Sequence, residues 1–450
     1  MPRPTDDEAK TKRAACGYKA GDLPSETLGA STPVDKDIPI DTIVILMQEN
    51  RSFDHYFSQL PAYLNRTDIA VAPANASNPD KAGGMTGMHV RAHAPRMCNY
   101  DVNHEWRGSH VQYDDGKMDG FFETNDDAAK APNGAPPELY NGDRAFWYYD
   151  QTDLPFYYDL AKTFGIADHY HCSLLGPTWP NRMFLYAATS FGYTHNVFPA
   201  VLDEYAFPDK DMTWIDSLES RQITWSIFTD GAAPGLGVVY GGSGYFRWGD
   251  HKPVQALAKF NELAAAGMLP SVSLVDPILG KENGSQTDEH PPADVQVGQK
   301  FVYDIVTTLM KSPQWKRMAI FITYDEHGGF YDSVPPPAAC PPDARPQKRE
   351  PNDTTDAKFD RLGFRVPLFV ISPYTKKGYI AHNTYDHSSI ARFVEAKFKL
   401  PALTARDANA DVPMEFFDFQ NPPYMTPPTF NAPPVDPASL SFCTTNFPPK

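Results

Sequence analysis

Short apolar runs consistent with buried strands recur along the chain at Ile43 to Met47, Ile223 to Phe228, Val272 to Val275, Met318 to Tyr324 and Val366 to Ile371. The first has too few residues for a helix and no polar alternation, so it is predicted as a strand buried on both faces of a sheet, and the others follow the same pattern. Helical periodicity separates several of them. Asp294 is a predicted N-cap for a helix running to about Lys311, with Phe301, Val302, Ile305, Val306 and Leu309 on one face. Pro253 and Gly267 frame a second helix through Leu257, Phe260 and Leu263. Ser388 or Ser389 is predicted to cap a third, with Ile390, Phe393 and Val394 turned inward. Strands alternating with helices predict an α/β fold with a mostly parallel central sheet covered on both faces.

The stretches Val71 to Gly87, Ala131 to Pro137, Pro335 to Thr355 and Pro422 to Pro437 are rich in small residues and turn formers and read as surface excursions. The 44 prolines and 13% aromatic content agree with long, rigid loops on a sheet rather than a helical bundle. With 56 acidic and 40 basic side chains in 450 residues, the net charge of −16 repels nucleic-acid backbones and anionic lipid surfaces at long range. A nucleic-acid partner is therefore not expected, whereas a local metal site can still attract small phosphate esters. No run approaches the ~20 apolar residues of a membrane span, and the first sixteen residues are charged, without the apolar stretch of a complete signal peptide. The five cysteines, Cys16, Cys98, Cys172, Cys340 and Cys443, lack the CxxC spacing of a structural zinc site. Their odd number permits two disulfides and a free thiol, with the pairing undetermined.

The candidate chemistry lies where strands end. Glu49 and Asn50 follow the first run directly, at the end of a sheet where ligands bind, and offer hard oxygen ligands to a divalent cation. The competing reading makes this junction a helix start, with Phe53, Tyr56 and Phe57 as its core face. Asp325 and Glu326 follow Met318 to Tyr324 in the same way, and Gly328 and Gly329 then let the backbone turn sharply or approach a ligand. Three carboxylates brought together by neighbouring strands require a cation to offset their repulsion. In Gly176-Pro177-Thr178-Trp179-Pro180-Asn181-Arg182, a hydroxyl between two prolines begins a helical pattern, as a nucleophile at a helix N-terminus would, with Arg182 available for phosphate oxygens. A threonine hydroxyl needs a metal or a base to become nucleophilic. His104 and His290, each in a loop-like acidic setting, are candidate proton donors or phosphate ligands. His169, His171, His251 and His387 carry no motif of comparable strength.

Glu49-Asn50-Arg51-Ser52-Phe53-Asp54, Thr178-Trp179-Pro180-Asn181-Arg182, Asp325-Glu326-His327-Gly328-Gly329 and Gly363-Phe364-Arg365-Val366-Pro367 occur in that order. Together they resemble the bacterial phosphoesterase family that includes non-haemolytic phospholipases C, plant non-specific phospholipases C and a group of acid phosphatases. The resemblance divides the chain into an N-terminal extension (1–37), a catalytic domain (38–400) and a proline-rich tail (401–450) packed on that domain. It implies an alkaline-phosphatase-like α/β/α sandwich and one divalent metal ion, whether Ca, Mg, Mn or Zn. The implied metal ligands are Glu49, Asn50, Thr178, Asp325 and Glu326, with Thr178 also the nucleophile. It further implies His104 and His290 as phosphate-binding or proton-donating residues, Asn181, Arg182 and, weakly, His251 as substrate contacts, and a secreted or periplasmic location. Threonine rather than serine at the nucleophile position leans towards the phospholipases, and thus to phosphatidylcholine-like diesters cleaved through a phosphothreonine. The tail Pro401 to Lys450 is too short for the extra β domains of large haemolytic members, which leaves dispersed phosphoesters the better-supported substrates. The alternatives are a broad-specificity acid phosphatase, a sulfatase, for which Thr178 lacks the oxidisable side chain, and a non-catalytic binding protein of the same fold. The oligomeric state is not legible.

Overall fold

In the computed structural model, which describes residues 2–196, 213–229, 254–279, 284–356 and 358–448, the apolar runs become neighbouring strands of one sheet. Its described strands are β1 (Thr42–Gln48), β2 (Gly165–Ala167), β3 (Trp225–Phe228), β4 (Val254–Gln255), β5 (Val272–Val275), β6 (Met318–Tyr324), β7 (Leu368–Ile371) and β8 (Tyr379–Ala381). They lie in the order β8-β2-β7-β6-β1-β5-β3-β4. All described pairs are parallel except those of β7, which is antiparallel to both β6 and β2. β1 and β6 are buried along their whole length, and their register from Thr42↔Met318 to Gln48↔Tyr324 brings both carboxyl ends out level.

Helices cover both faces. Phe321 and Ile322 are consecutive in β6 and so point to opposite sides. On one side Phe321 meets Phe393 of the helix His387–Phe398. On the other, Ile322 is level with Phe369 of β7, whose ring lies 5.9 Å from Tyr157 of the helix Pro155–Thr163. The helix Leu257–Ala266 packs on β3 through Phe260 and Phe228, 5.2 Å apart. The fold is thus α/β, as the alternation of patterns implies.

Several predicted boundaries move for identifiable reasons. β3 begins at Trp225 rather than Ile223 because the Ile223 amide donates to Leu218 O, closing the preceding helix. β7 begins after Pro367, which has no amide to donate, and Val366 bonds to Tyr170 O instead. The helix at His387–Phe398 is capped by Asp386, not by Ser388 or Ser389. The Ser389 amide donates to Asp386 O, and the Ser389 hydroxyl takes the amide of Asp386 at 3.1 Å. Asp294 caps the helix Val295–Met310 as expected, and Gly267 ends the helix Leu257–Ala266 at φ +68°. Pro253 and His251 lie outside the described residues.

Two disulfides join distant parts of the chain, Cys16–Cys340 and Cys98–Cys443, and leave Cys172 as a buried free thiol. Tyr18 of the N-terminal segment packs with Ala402 and Ala408. From the C-terminal segment, Tyr424 and Phe430 lie against Phe164 and Phe156. No helix among the described residues is long and apolar enough to cross a membrane.

Candidate active site

Three adjacent strands deliver acids at their carboxyl ends. Asp276 follows β5, Glu49 and Asn50 follow β1, and Asp325 and Glu326 follow β6. The ladder continues one step beyond β6, where the Asp325 amide donates to Gln48 O at 3.1 Å, so Asp325 emerges beside Glu49. All five side chains are buried, at no more than 6% exposure. Asp276 escaped sequence reasoning, although the same rule of an apolar run followed at once by an acid marks it.

A single guanidinium sits among these acids. Arg182 places Nε 3.1 Å from Asp325 Oδ2, Nη2 3.4 Å from Glu49 Oε1 and Nη1 3.8 Å from Asp276 Oδ1. It reaches them from the helix Thr178–Ala187, where residues four apart share a face, so Thr178 lies on the same face as Arg182. Thr178 is the first residue of that helix and is buried to 6% exposure. The turn before it is fastened by Asn181, whose Oδ1 accepts the Ser173 and Leu174 amides at 2.9 and 3.1 Å, while Nδ2 donates to Gly176 O at 2.8 Å. Asn181 is thereby committed to the loop that positions Thr178.

The glycine pair explains how the β6 end meets its neighbours. Gly328 has φ +65°, and a Cβ there would lie 2.0 Å from Asn50 O; Gly329 has φ +75°, and a Cβ there would lie 2.5 Å from Asn103 O. Any other residue would force apart Asn50, Glu326 and the segment carrying His104. His104 Nε2 stands 4.0 Å from Glu326 Oε1, and its Nδ1 lies 2.6 Å from Val102 O. The His290 ring is 5.5 Å from that of His104, nearly perpendicular to it, and both histidines face Asp101 at 3.8 Å. The loop bearing His290 is anchored by the buried Glu289, which accepts hydrogen bonds from the hydroxyls of Tyr56, Tyr157 and Tyr324. His327 joins the cluster to the helix Trp106–Tyr113, with Nε2 2.7 Å from Gln112 Oε1 and Nδ1 3.3 Å from Glu326 Oε2.

The electrostatics are those of an anionic pocket short of positive charge. Burial and the neighbouring Glu49 push Asp325 well above the usual carboxylate range, against the pull of Arg182. Glu326 is held lower despite its burial, because His104, His327 and the Gly328 amide all favour its ionised form. Burial alone would depress His104, but Glu326, Asp101 and Glu105 outweigh it and raise the imidazole to about 10. Both amide atoms of Asn50, Oε1 of Glu326 and Nη1 of Arg182 are buried without a hydrogen-bond partner. Unmet acceptors beside several acids fit a site for a hard cation.

Of the residues singled out from sequence, Glu49, Asn50, Asp325, Glu326 and Arg182 converge, Thr178 shares the helix face of Arg182, His104 borders Glu326, and His290 lies behind His104. Among the described residues, ligand atoms within 4.8 Å of one another occur at Asp101-His104-His290 beside this site and at two further groups, Asp168-His169-His382 and His93-Asp150-Asp153. His171 Nδ1 donates to Gly363 O, and His387 donates through Nε2 to Asp325 O and meets the Tyr170 hydroxyl at Nδ1, both residues being fully buried.

The sequence pattern of the Phosphoesterase family matches residues 40–401. The chain is 32% identical over 416 residues to non-specific phospholipase C1 of Arabidopsis thaliana, an alignment spanning 86% of this chain and 72% of that protein. It is 30% identical over 471 residues to phospholipase C B of Mycobacterium tuberculosis, spanning 94% of this chain and 86% of that protein. A solved alkaline phosphatase superfamily protein from Vibrio parahaemolyticus aligns over 98% of this chain and 94% of its own at 11% identity and a TM-score of 0.40, too distant to support an argument. On the strength of the family match and of relatives aligned over most of its length, the chain belongs to the phosphoesterase family and is a hydrolase of phosphoric esters.

Proposed function

We propose that the protein is a metal-dependent phosphoesterase of the phospholipase C type, cleaving phosphatidylcholine-like diesters through a phosphothreonine at Thr178. The observation that carries this reading is the cluster of buried acids at three adjacent strand ends with the unpartnered atoms of Asn50 and Glu326 among them. The names of the two relatives favour the diester. Glu49, Asn50, Asp325 and Glu326, with Thr178 as a further donor, would hold a divalent cation, whose charge would acidify the hydroxyl and neutralise the phosphoryl oxygens. The donor set of carboxylates, amide and hydroxyl suits Ca, Mg, Mn or Zn.

The Thr178 hydroxyl gives its proton to solvent water, and its oxygen attacks phosphorus. The bond from phosphorus to the leaving oxygen breaks in line, and the alcohol, diacylglycerol for a phospholipid, takes a proton from His104 or His290. Water then attacks the phosphothreonine and returns the threonine hydroxyl. Arg182 holds Glu49 and Asp325 in place and leaves Nη1 for a phosphoryl oxygen; Asn181 acts through the loop it fastens. The two disulfides support export to an oxidising compartment.

Turnover of dispersed phosphatidylcholine against that of nitrophenyl phosphate, in one preparation, tests the substrate. Faster diester cleavage is expected; a preference for the monoester would assign the protein to the acid phosphatases instead. Unchanged activity after demonstrated removal of bound metal by a chelator would sink the metal role.

A further inference from the structure

We propose a second metal site, for zinc or a similar transition-metal ion, formed by Asp168, His169 and His382 at the carboxyl ends of β2 and β8. It is independent of the active site and of the function proposed for it. Ala167 of β2 and Ala381 of β8 are paired in register, so the next residues, Asp168 and His382, emerge side by side. The Asp168 amide extends that ladder to Ala381 O at 3.1 Å, and Arg365 Nη1 grips Asp168 O at 2.9 Å, so the backbone under the site is fixed. One strand, β7, lies between β2 and β6, which carries Asp325 and Glu326.

The ligand atoms already converge. His169 Nδ1 is 2.8 Å from Asp168 Oδ1, and His382 Nδ1 is 3.0 Å from Asp168 Oδ2. One ligand atom from each of the three residues falls within 4.8 Å of the others. Four ligands about 2.0–2.2 Å from zinc stand roughly 3.3 Å apart, so each histidine nitrogen needs to draw away from Asp168 by only a few tenths of an ångström. Behind His382, Asp68 Oδ2 approaches Nε2 at 3.5 Å and is itself held by Arg66. A carboxylate on the far nitrogen of an imidazole is the usual means of fixing a metal-bound histidine and selecting the nitrogen that faces the ion.

Two imidazoles and one carboxylate favour zinc-like ions over calcium or magnesium. Asp168 is buried, whereas His169 and His382 are 31% and 45% exposed, which gives the ion a route in and leaves a position for water. The alternative is that Asp168 simply accepts hydrogen bonds from two histidines and from the Ala70 amide, which reaches Oδ2 at 2.9 Å. An ion bound here would tie the segment Arg66 to Ala70 to the sheet edge and stabilise the fold by mass action.

Zinc titration of the metal-stripped full-length chain by calorimetry, compared with the double variant His169→Ala/His382→Ala, decides between them. One fewer zinc bound per chain in the variant, with a smaller rise in Tm on adding zinc, is expected. Equal zinc stoichiometry and an equal Tm rise would overturn the site. The Glu326→Gln variant keeps this site intact, so its loss of a different binding event separates the two metals. Should the double variant not fold, Co2+ added to the wild-type chain provides the test: a tetrahedral visible spectrum abolished by His382→Gln supports the site, and a spectrum unchanged by that substitution overturns it.

Discussion

Two buried charged clusters lie at the same end of the sheet, each built round one arginine, and they are finished differently. Arg365 donates through Nε to Asp332 at 3.0 Å, through Nη2 to Asp54 at 2.9 Å and through Nη1 to Ala70 O and Asp168 O, with its plane over the Phe53 ring. Asp54 also accepts the Ala72 and Ser333 amides. Among the described residues no side-chain atom of this trio lacks a partner. Arg182 faces more carboxylates than it can neutralise, and Asn50, Glu326 and Arg182 itself keep unmet atoms. Complete satisfaction marks a structural ion cluster, and a deficit of cationic charge marks one built for a ligand.

The sharpest way to break this contrast is to remove a reacting group from one cluster and the central cation from the other. Thr178→Ala should lower phosphodiester turnover at least about ten-thousandfold while leaving the thermal midpoint in place; full activity in a purified, folded variant would refute the nucleophile. Arg365→Met should instead cost about 3–5 kcal/mol of stability, because two buried carboxylates lose their counter-charge. Denaturant melts would show this, and a loss below 1 kcal/mol would argue that the trio is not structural.

A smaller effect follows from Asp332, which burial raises to about 6 in spite of Arg365 and further through Asp54. Between the ordinary value of 3.8 and about 6 the folded chain holds a proton that the unfolded chain has released. Stability from this group is therefore complete below about 4 and lost as pH rises through 6. Relative to Asp332→Asn, the wild-type chain should lose on the order of 2–3 kcal/mol over that interval; a difference that is flat with pH would contradict it. The smallest change is expected for Glu326→Gln, measured without metal. Stability should fall by about 1 kcal/mol, because His104, His327 and the Gly328 amide lose the charge they face, and metal affinity falls with it; a gain in stability would contradict this.

How far the contrast was legible in sequence depended on the length of each element. β1, β5 and β6 announce themselves because strands buried on both faces are continuous apolar runs, and the acids beginning at Glu49 and Asp325 stand out against them. β2, β4 and β8 have two or three residues each, too few for any periodicity, so the edge bearing Asp168 and His382 was invisible. Asp276 was readable by the rule applied elsewhere and went unused. Neither the commitment of Asn181 to its own loop nor the clamp made by Arg365 is encoded locally, because their partners come from segments that only the fold brings near. The cap at Asp386 was missed because the two serines after it are themselves good cap formers, and Ser389 serves the cap in reverse.

The disulfides have a consequence for how the molecule meets proteases. The loops closed by Cys16–Cys340 and Cys98–Cys443 overlap. A single peptide bond cut anywhere from Cys16 to Cys443 is therefore bridged by at least one of them. A protease that nicks the chain once inside that interval yields two pieces still joined, which part on a denaturing gel only after reduction. The enzyme is in this sense a closed double ring, able to survive a break that would halve an unlinked chain.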